Sequence, residues 1–329
     1  MLERTRCTSS AVVSALVPLA AFAALFALRP LAASPAAEAP KAAPKKIVLL
    51  AGGPSHGYGG HDHKAGCHLL AKALRESVAG VDAVVVEGWP KDPAVLEGAS
   101  CIVLFSDGQG GHVARGKFAE LDALAAKGAG IVLLHYAVEP ERNEEGAKHF
   151  LRWTGGFYEK RWSVNPHWRA KFERLPGHPI ARGVKPFEID DEWYFNMRFA
   201  EDMKGVTPIL TAVPPDEVRN RPDDDHGGNP FVRSQKGRPE HVAWAYERPG
   251  GGRGFGFTGG HWHHNWAHPD FRKVVLNAIV WCAGMEVPEG GVRSKNPTIE
   301  DLRANHDEAE PRNFDWKRIR KETEAWPKE

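Results

Sequence analysis

Residues 46–67 read KIVLLAGGPSHGYGGHDHKAGC, and the fold turns on this stretch. Lys46 to Ala51 is a short apolar run with no polar alternation, ended by Gly52, Gly53 and Pro54. A strand that is apolar on both sides has to be covered on both sides. Helical spacing follows in His68 to Ser77, HLLAKALRES, and then a second β-branched run from Asp82 to Glu87, DAVVVE. The alternation continues with Cys101 to Ser106 (CIVLFS), a helical stretch from Arg115 to Lys127, and the run Ile131 to His135 (IVLLH). Apolar strands joined by helices need crossover connections, which predicts a doubly wound, mostly parallel α/β sheet.

Sheets of this kind bind ligands beyond the carboxyl ends of their strands, so the residues after each run deserve the closest reading. They are rich in histidine. The first strand is followed by His56, His61, Asp62 and His63, the run at 101–106 by Asp107, Gln109 and His112, and the run at 131–134 by His135 and Glu139. Near the end, Gly254 to Thr258 (GFGFT) empties into GGHWHHNWAH with His261, His263, His264 and His268. Four strand ends carrying imidazoles predict several of the 16 histidines on one rim.

Outside this layer the chain divides by composition. Arg4 and Arg6 precede an apolar run from Ala11 to Leu28 and small residues at Ala32, Ala33 and Ser34, the order of a secretory signal over 1–33. This predicts a periplasmic or secreted protein; an uncleaved anchor is the alternative and the one route to a membrane partner. Residues 34–45 read as an Ala/Pro/Lys linker, 46–287 as the folded domain and 288–329 as a charged C-terminal extension. Between 152 and 247 the chain is rich in Trp, Pro and Gly, which predicts loop-rich insertions over the sheet edge, with 221–237 a long polar surface loop. Segments 241–246 and 253–258 read as a hairpin, and Phe271 to Ala283 as an amphipathic helix closing the domain.

Composition narrows the ligand class. Lys plus Arg number 43 against 42 Asp plus Glu, so no field of one sign favours nucleic acid or another polyanion. GGGRG at 250–254 lies between two strands with no helix to follow, so nothing supports a nucleotide cofactor. Beyond the leader, Cys67, Cys101 and Cys282 match neither a paired-cysteine metal site nor a disulfide framework and read as small buried hydrophobes.

Several stretches occur together and in order: GGPSHGYGGHDHKAGCHLLAKAL, DGQGGH, LLHYAVE, WSVNPHW, DDEWYFNMRF, HVAWAYERPGGGRGFGFTGGHWHHNW and FRKVVLNAIVWCAG. Over Lys46 to Val287 they resemble the trehalose-utilisation, or ThuA-like, domain family. The resemblance implies a flavodoxin-like sheet related to class I glutamine amidotransferases and a link to sugar metabolism. Those amidotransferases need a cysteine at the turn after a central strand. Here that turn offers His135, Tyr136 and Ala137, and Cys101 sits at the wrong end of its strand, so amidase chemistry is disfavoured.

Two readings of the site follow. In the first, His56, His135 and His261, with Glu192 or Asp107, hold a divalent metal, most plausibly zinc, and His135 or Glu192 is the general base of a carbohydrate hydrolase, lyase or isomerase. In the second, the same rim is a metal-free sugar site: Trp162, Trp168, Trp193, Trp262 and Trp266 give stacking faces, while Asp, Asn and His bond hydroxyls. Substrate contacts are expected from His56, Asp107, His167, Trp193, Tyr194 and His263. His61 and His63 rank below His56 because they sit on a flexible glycine loop, and His149, His226 and His306 look incidental. The rival from another class is a non-enzymatic carbohydrate-binding or scaffold protein, docking through the tail after Val287.

Overall fold

The computed structural model describes residue 14, residues 43–141 and residues 144–329; nearly all of the leader and of the linker lie outside the described residues. The strands are β1 (Lys45–Ala51), β2 (Val81–Glu87), β3 (Ala99–Phe105), β4 (Gly130–Leu134), β5 (Gly156–Phe157), β6 (His167–Phe172), β7 (Phe187–Glu192), β8 (Arg198–Phe199), β9 (Val206–Ala212), β10 (Glu240–Glu247) and β11 (Arg253–Phe257). The α-helices are α1 (His63–Ser77), α2 (Phe118–Ala126), α3 (Glu144–Thr154), α4 (Asp216–Arg219), α5 (Pro230–Ser234), α6 (Pro269–Cys282), α7 (Ile299–Arg303) and α8 (Trp316–Ala325). None of the helices among the described residues is long and apolar enough to cross a membrane.

Seven strands form one sheet in the order β2-β1-β3-β4-β11-β10-β9. The first five pair in parallel, and β10 runs against both β11 and β9, giving the mostly parallel sheet the alternation predicts. Period-two geometry divides β1 between two cores. Ile47, Leu49 and Ala51 join α1 and α6 on one face, while Val48 and Leu50 join Leu121 of α2 and Phe150 and Trp153 of α3 on the other. Each fully buried aliphatic side chain contributes about 1.5–3 kcal/mol relative to exposure, so a polar substitution in β1 would break one core or the other.

Three features depart from the sequence reading. Strand β9 escaped notice because Pro208 lies in its run VTPILTA; proline is tolerated there because β9 is the sheet's edge. Helix α3 escaped because charges and Gly146 fill its first turns, hiding the apolar side that buries Phe150 and Trp153. Helix α6 is not amphipathic in place, since all 14 of its residues are buried. Its polar side is covered by loops: Arg272 donates to Trp266 O (2.6 Å) and Ser294 Oγ (2.8 Å), and Asn277 to Ile180 O (2.8 Å).

The C-terminal extension folds onto its own domain. Thr298 and Asp301 form a capping box at α7, and Ile299, Leu302 and Ile319 enter the core on the α1/α6 side. In the insertion, β6 and β7 make an antiparallel ribbon whose last pair is His167 opposite Glu192.

Candidate metal centre

Adjacent strands deliver the side chains. At the end of β1, Gly52 N donates to Phe105 O (2.8 Å), and a Cβ at Gly52 would fall 2.5 Å from Ser106 Cβ, so only glycine lets β1 and β3 end this close. The loop then crosses toward β11, tied by His61 N to His261 O (3.0 Å) and His263 N to Gly59 O (3.0 Å). His135 is the first residue past β4. His261 follows Gly260, whose φ of 110° only glycine adopts easily. That turn is fixed from below by the fully buried Asp191, which accepts from Gly260 N (2.8 Å), His261 N (3.0 Å) and Asn265 Nδ2 (3.0 Å). Glu192 enters at the end of β7.

His61, His135, Glu192 and His261 are all buried, and each offers a ligand atom within 4.8 Å of the others. Hydrogen bonding fixes which imidazole nitrogens are bare. His135 Nδ1 lies 2.8 Å from Thr258 O, a carbonyl that can only accept, so Nδ1 carries the hydrogen and Nε2 the lone pair. His61 Nδ1 lies 2.8 Å from the Asp107 carboxylate, which makes the same demand. The two lone-pair nitrogens then face each other at 2.9 Å, with Glu192 Oε2 3.5 Å from His135 Nε2 and 3.1 Å from His261 Nδ1. Lone pairs at that separation repel unless a proton or a cation lies between them. Carboxylate-backed and carbonyl-backed histidines with a third imidazole and a glutamate are a donor set that can hold a divalent metal.

The electrostatics agree with a cation shared in this cluster. Burial, aided by the neighbouring His61 and His261 and opposed by Glu192, pulls His135 down to about 3, so that ring is neutral throughout the physiological range. Burial also opposes charge on His61, but hydrogen bonds to Asp107 and Glu192 and their charges outweigh it and raise this imidazole above its usual value. Burial pushes Glu192 and Asp107 up, yet both end lowered: His135, His261 and His61 dominate at Glu192, and His61 and Ser55 at Asp107. Of the two facing rings, His61 is the one on which the surroundings favour a proton.

Opposite this cluster is a second set of polar groups. Glu139, 1% exposed, accepts from Gln109 Nε2 (2.7 Å) and pairs with His226 Nε2 (3.0 Å), whose side chain is 26% exposed. Burial raises the Glu139 pKa and its bond to Glu139 raises that of His226. The Tyr158 hydroxyl is buried with no partner of its own. The two sets share a cavity of about 160 Å³ that is also lined by His56, Tyr136, Asn165 and Tyr194. Backbone strain gathers around it: His56 (φ 62°), His61 (50°), Gln109 (50°) and His135 (54°) all adopt left-handed conformations costing about 1–3 kcal/mol each.

The sequence-predicted residues separate accordingly. His135, His261 and Glu192 meet in the cluster, and Asp107 stands behind His61. The third imidazole is His61, not His56: its bonds to His261 O and the Asp107 carboxylate hold the ring inward, leaving it 1% exposed, whereas His56 is exposed, its ring tilted against that of His61 at 3.7 Å. His56, His61 and Asp107 nonetheless form a second group with metal-ligand spacing. Tyr194 is buried and its hydroxyl reaches His135 Nε2 (3.1 Å) and Glu192 Oε2 (3.3 Å). His167 is half-exposed, 4.0 Å from Glu192. Trp193 is fully buried and donates to Ile189 O, so it is a core residue and no wall of the cavity. Trp168 and Trp266 are core as well, while Trp262 stands 36% exposed beside His167 and His261.

His263 is buried under the C-terminal segment, 5.0 Å from the His306 ring, outside the cavity. His112 also leaves the rim: it is buried and holds Ala137 O through Nε2 (3.1 Å), a structural role. His226, which looked incidental, lines the cavity from the loop expected to be surface. Sequence signals for it and for Gln109 are slight, because neither directly ends a strand. The three cysteines are buried and free, as their apolar surroundings predict.

The rim of a doubly wound α/β sheet carrying a buried His/Glu cluster defines the class of site. The chain belongs to the ThuA, or trehalose utilisation, family, whose pattern it matches over residues 48–282. Among solved structures it is similar to a ThuA-like protein from Parabacteroides merdae, at 17% identity with a TM-score of 0.52 over 79% of this chain and 99% of that one. A ThuA-like protein from Bacteroides uniformis is similar at 16% identity with a TM-score of 0.50, over 76% and 95% of the two chains. A glutamine amidotransferase from Thermotoga maritima follows at 10% identity, with a TM-score of 0.37 over 66% and 75%. No curated protein matches.

Proposed function

We propose that this chain is an exported, metal-dependent enzyme acting on a sugar or keto-sugar derivative, with zinc held by His61, His135, His261 and Glu192. One observation carries the reading: two imidazole nitrogens whose hydrogens are both committed elsewhere face each other at 2.9 Å beside a carboxylate. A zinc ion bound there would polarise a carbonyl or hydroxyl oxygen of the ligand. The sugar class is supported by the family's link to trehalose utilisation and by a small cavity ringed with carboxylate, amide, phenol and imidazole groups. The exported location rests on the basic-apolar-small order of residues 1–33.

Within this reading His135 and Glu192 point their lone pairs into the cluster, so neither is free to take a substrate proton. Glu139 is the carboxylate left over on the cavity wall. Burial keeps it a better base than an exposed glutamate, Gln109 orients it, and the half-exposed His226 gives its proton a way to solvent. The test is elemental analysis of the purified protein with a panel of oxidised and unoxidised glycosides. Stoichiometric zinc, with conversion of a keto-glycoside that chelation stops, is expected. Absence of stoichiometric metal, with ligand binding indifferent to chelators, overturns the metal; binding without conversion overturns the enzyme.

A further inference from the structure

The loop that supplies His61 has no regular structure of its own to hold it. Between Ser55 and Asp62 it takes left-handed conformations at His56, Gly57 (76°), Gly59 (91°) and His61. On the domain side it is held by the two backbone bonds to the β11 loop and by Asp107, which accepts from Ser55 Oγ (2.8 Å) and His61 Nδ1 (2.8 Å). Tyr58 and Gly59 on its outer side are covered by residues 302–316, which lie past the family-matched residues 48–282, while His56 and Gly57 stay exposed.

The contacts are specific to this loop. The Tyr58 ring stacks on His306 (4.1 Å, 20°) and meets the edge of Phe314 (4.7 Å, 81°), and its hydroxyl donates to Glu310 Oε2 (3.3 Å). Phe314 lies so close over Gly59 that a Cβ there would fall 3.0 Å from its ring. Asp62 accepts from Gly59 N (2.8 Å) with one oxygen and lies 2.9 Å from His306 Nδ1 with the other. His306 is oriented in turn by Leu302 O, which accepts from its Nε2 (2.7 Å). Glu310 is held by Arg303 (2.6 Å). A solvated charged tail would show none of this; here an aromatic and ionic clamp closes on the residues immediately before a buried candidate ligand.

We infer that the C-terminal extension is a positioning element of the metal centre: His306, Glu310 and Phe314 hold the 57–62 turn so that His61 presents Nε2 to His135 and Glu192. The inference rests on the metal reading above. In this arrangement every donor, His61 included, comes from the family-matched residues, and the extension holds one of them in place. Its residues act through Tyr58 and Asp62 and touch no ligand themselves.

The test uses the full chain and its His306→Ala/Phe314→Ala variant, with zinc titrated against a chromophoric chelator and Co²⁺ absorption reporting ligand geometry. The variant is expected to bind zinc about 10–100-fold more weakly, with an altered Co²⁺ spectrum and faster amide exchange over residues 57–62. Ile319→Ala, in the same extension but in the core, controls for general destabilisation. It is expected to lower the melting temperature and leave zinc affinity unchanged. A folded double variant with wild-type zinc affinity and spectrum overturns the inference, as does an equal loss in Ile319→Ala. If the wild type binds no metal, the metal reading fails separately, and unchanged exchange over 57–62 in the double variant then overturns the clamp.

Discussion

The two edges of the central sheet carry cavities of opposite character. At the amino ends of the strands lies a pocket of about 670 Å³, bordered by Lys45, Lys127, Arg248, Arg253 and several glycines, with Glu247 its one acid. At the carboxyl ends the cavity is about 160 Å³, yet it gathers the cluster, the strained backbone and the buried carboxylates. Room alone does not make a site. What distinguishes the smaller cavity is polar atoms whose hydrogen bonds leave lone pairs aimed at one point, and four strained residues, at about 1–3 kcal/mol each, gathered around it.

The contrast is broken most directly by removing a donor. His135→Ala is expected to abolish stoichiometric zinc and all turnover while the far-ultraviolet circular dichroism stays that of the wild type. A variant that keeps its zinc would show that the facing nitrogens are bridged by a proton alone. Next in size is Glu139→Gln, which keeps the hydrogen-bonding shape but not the base. Turnover of a keto-glycoside should fall about 10²–10⁴-fold with zinc content intact. Equal loss of zinc would instead place Glu139 among the ligands.

Smaller effects sharpen the picture behind the ligands. Asp107→Asn removes the carboxylate that commits the His61 Nδ1 hydrogen, and zinc affinity is expected to fall about 10–100-fold. Acid acts through the same ring. Because the His61 pKa is raised above 6.5 and His135 is held near 3, one proton competes with the metal, and it does so below the His61 value. Zinc affinity should therefore be flat above that pKa and fall about tenfold per pH unit beneath it, read by chelator competition across pH. The sign runs the other way for the metal-free fold: a raised imidazole pKa contributes stability that is full below 6.5 and is lost as pH rises through the folded value.

The doubly wound layer was legible because each strand of the parallel half is apolar on both faces, and because strand ends in such sheets are where ligands gather. His135, His261 and Asp107 followed from that rule, whereas Glu192 belongs to the DDEWYF stretch of the insertion, on a ribbon outside the main sheet. His61 did not follow, since a glycine loop reads as flexible until its positive φ and its bond to His261 O are seen. Trp193 and His263 misled for the converse reason: an aromatic or imidazole near a strand end is as readily a core residue, and only packing separates the two. The clamp by His306 and Phe314 spans some 250 residues of sequence, beyond the reach of any local pattern.

The least effect is expected at the other edge, and it tests whether the two cavities are independent. Arg248 lies beside the larger pocket, donating to Ala129 O (2.5 Å) and Gly251 O (3.3 Å), while its Nη1 is buried without a partner. Replacing it with alanine removes two hydrogen bonds worth about 0.5–1.5 kcal/mol each but also relieves the unpaired nitrogen, so the melting temperature should move by a few degrees at most. Zinc affinity and turnover should not move at all, because no side chain that borders the larger pocket also borders the smaller one. Loss of zinc in Arg248→Ala would mean that β4 and β11 transmit changes from one end of the sheet to the other, and the division between the edges would have to be given up.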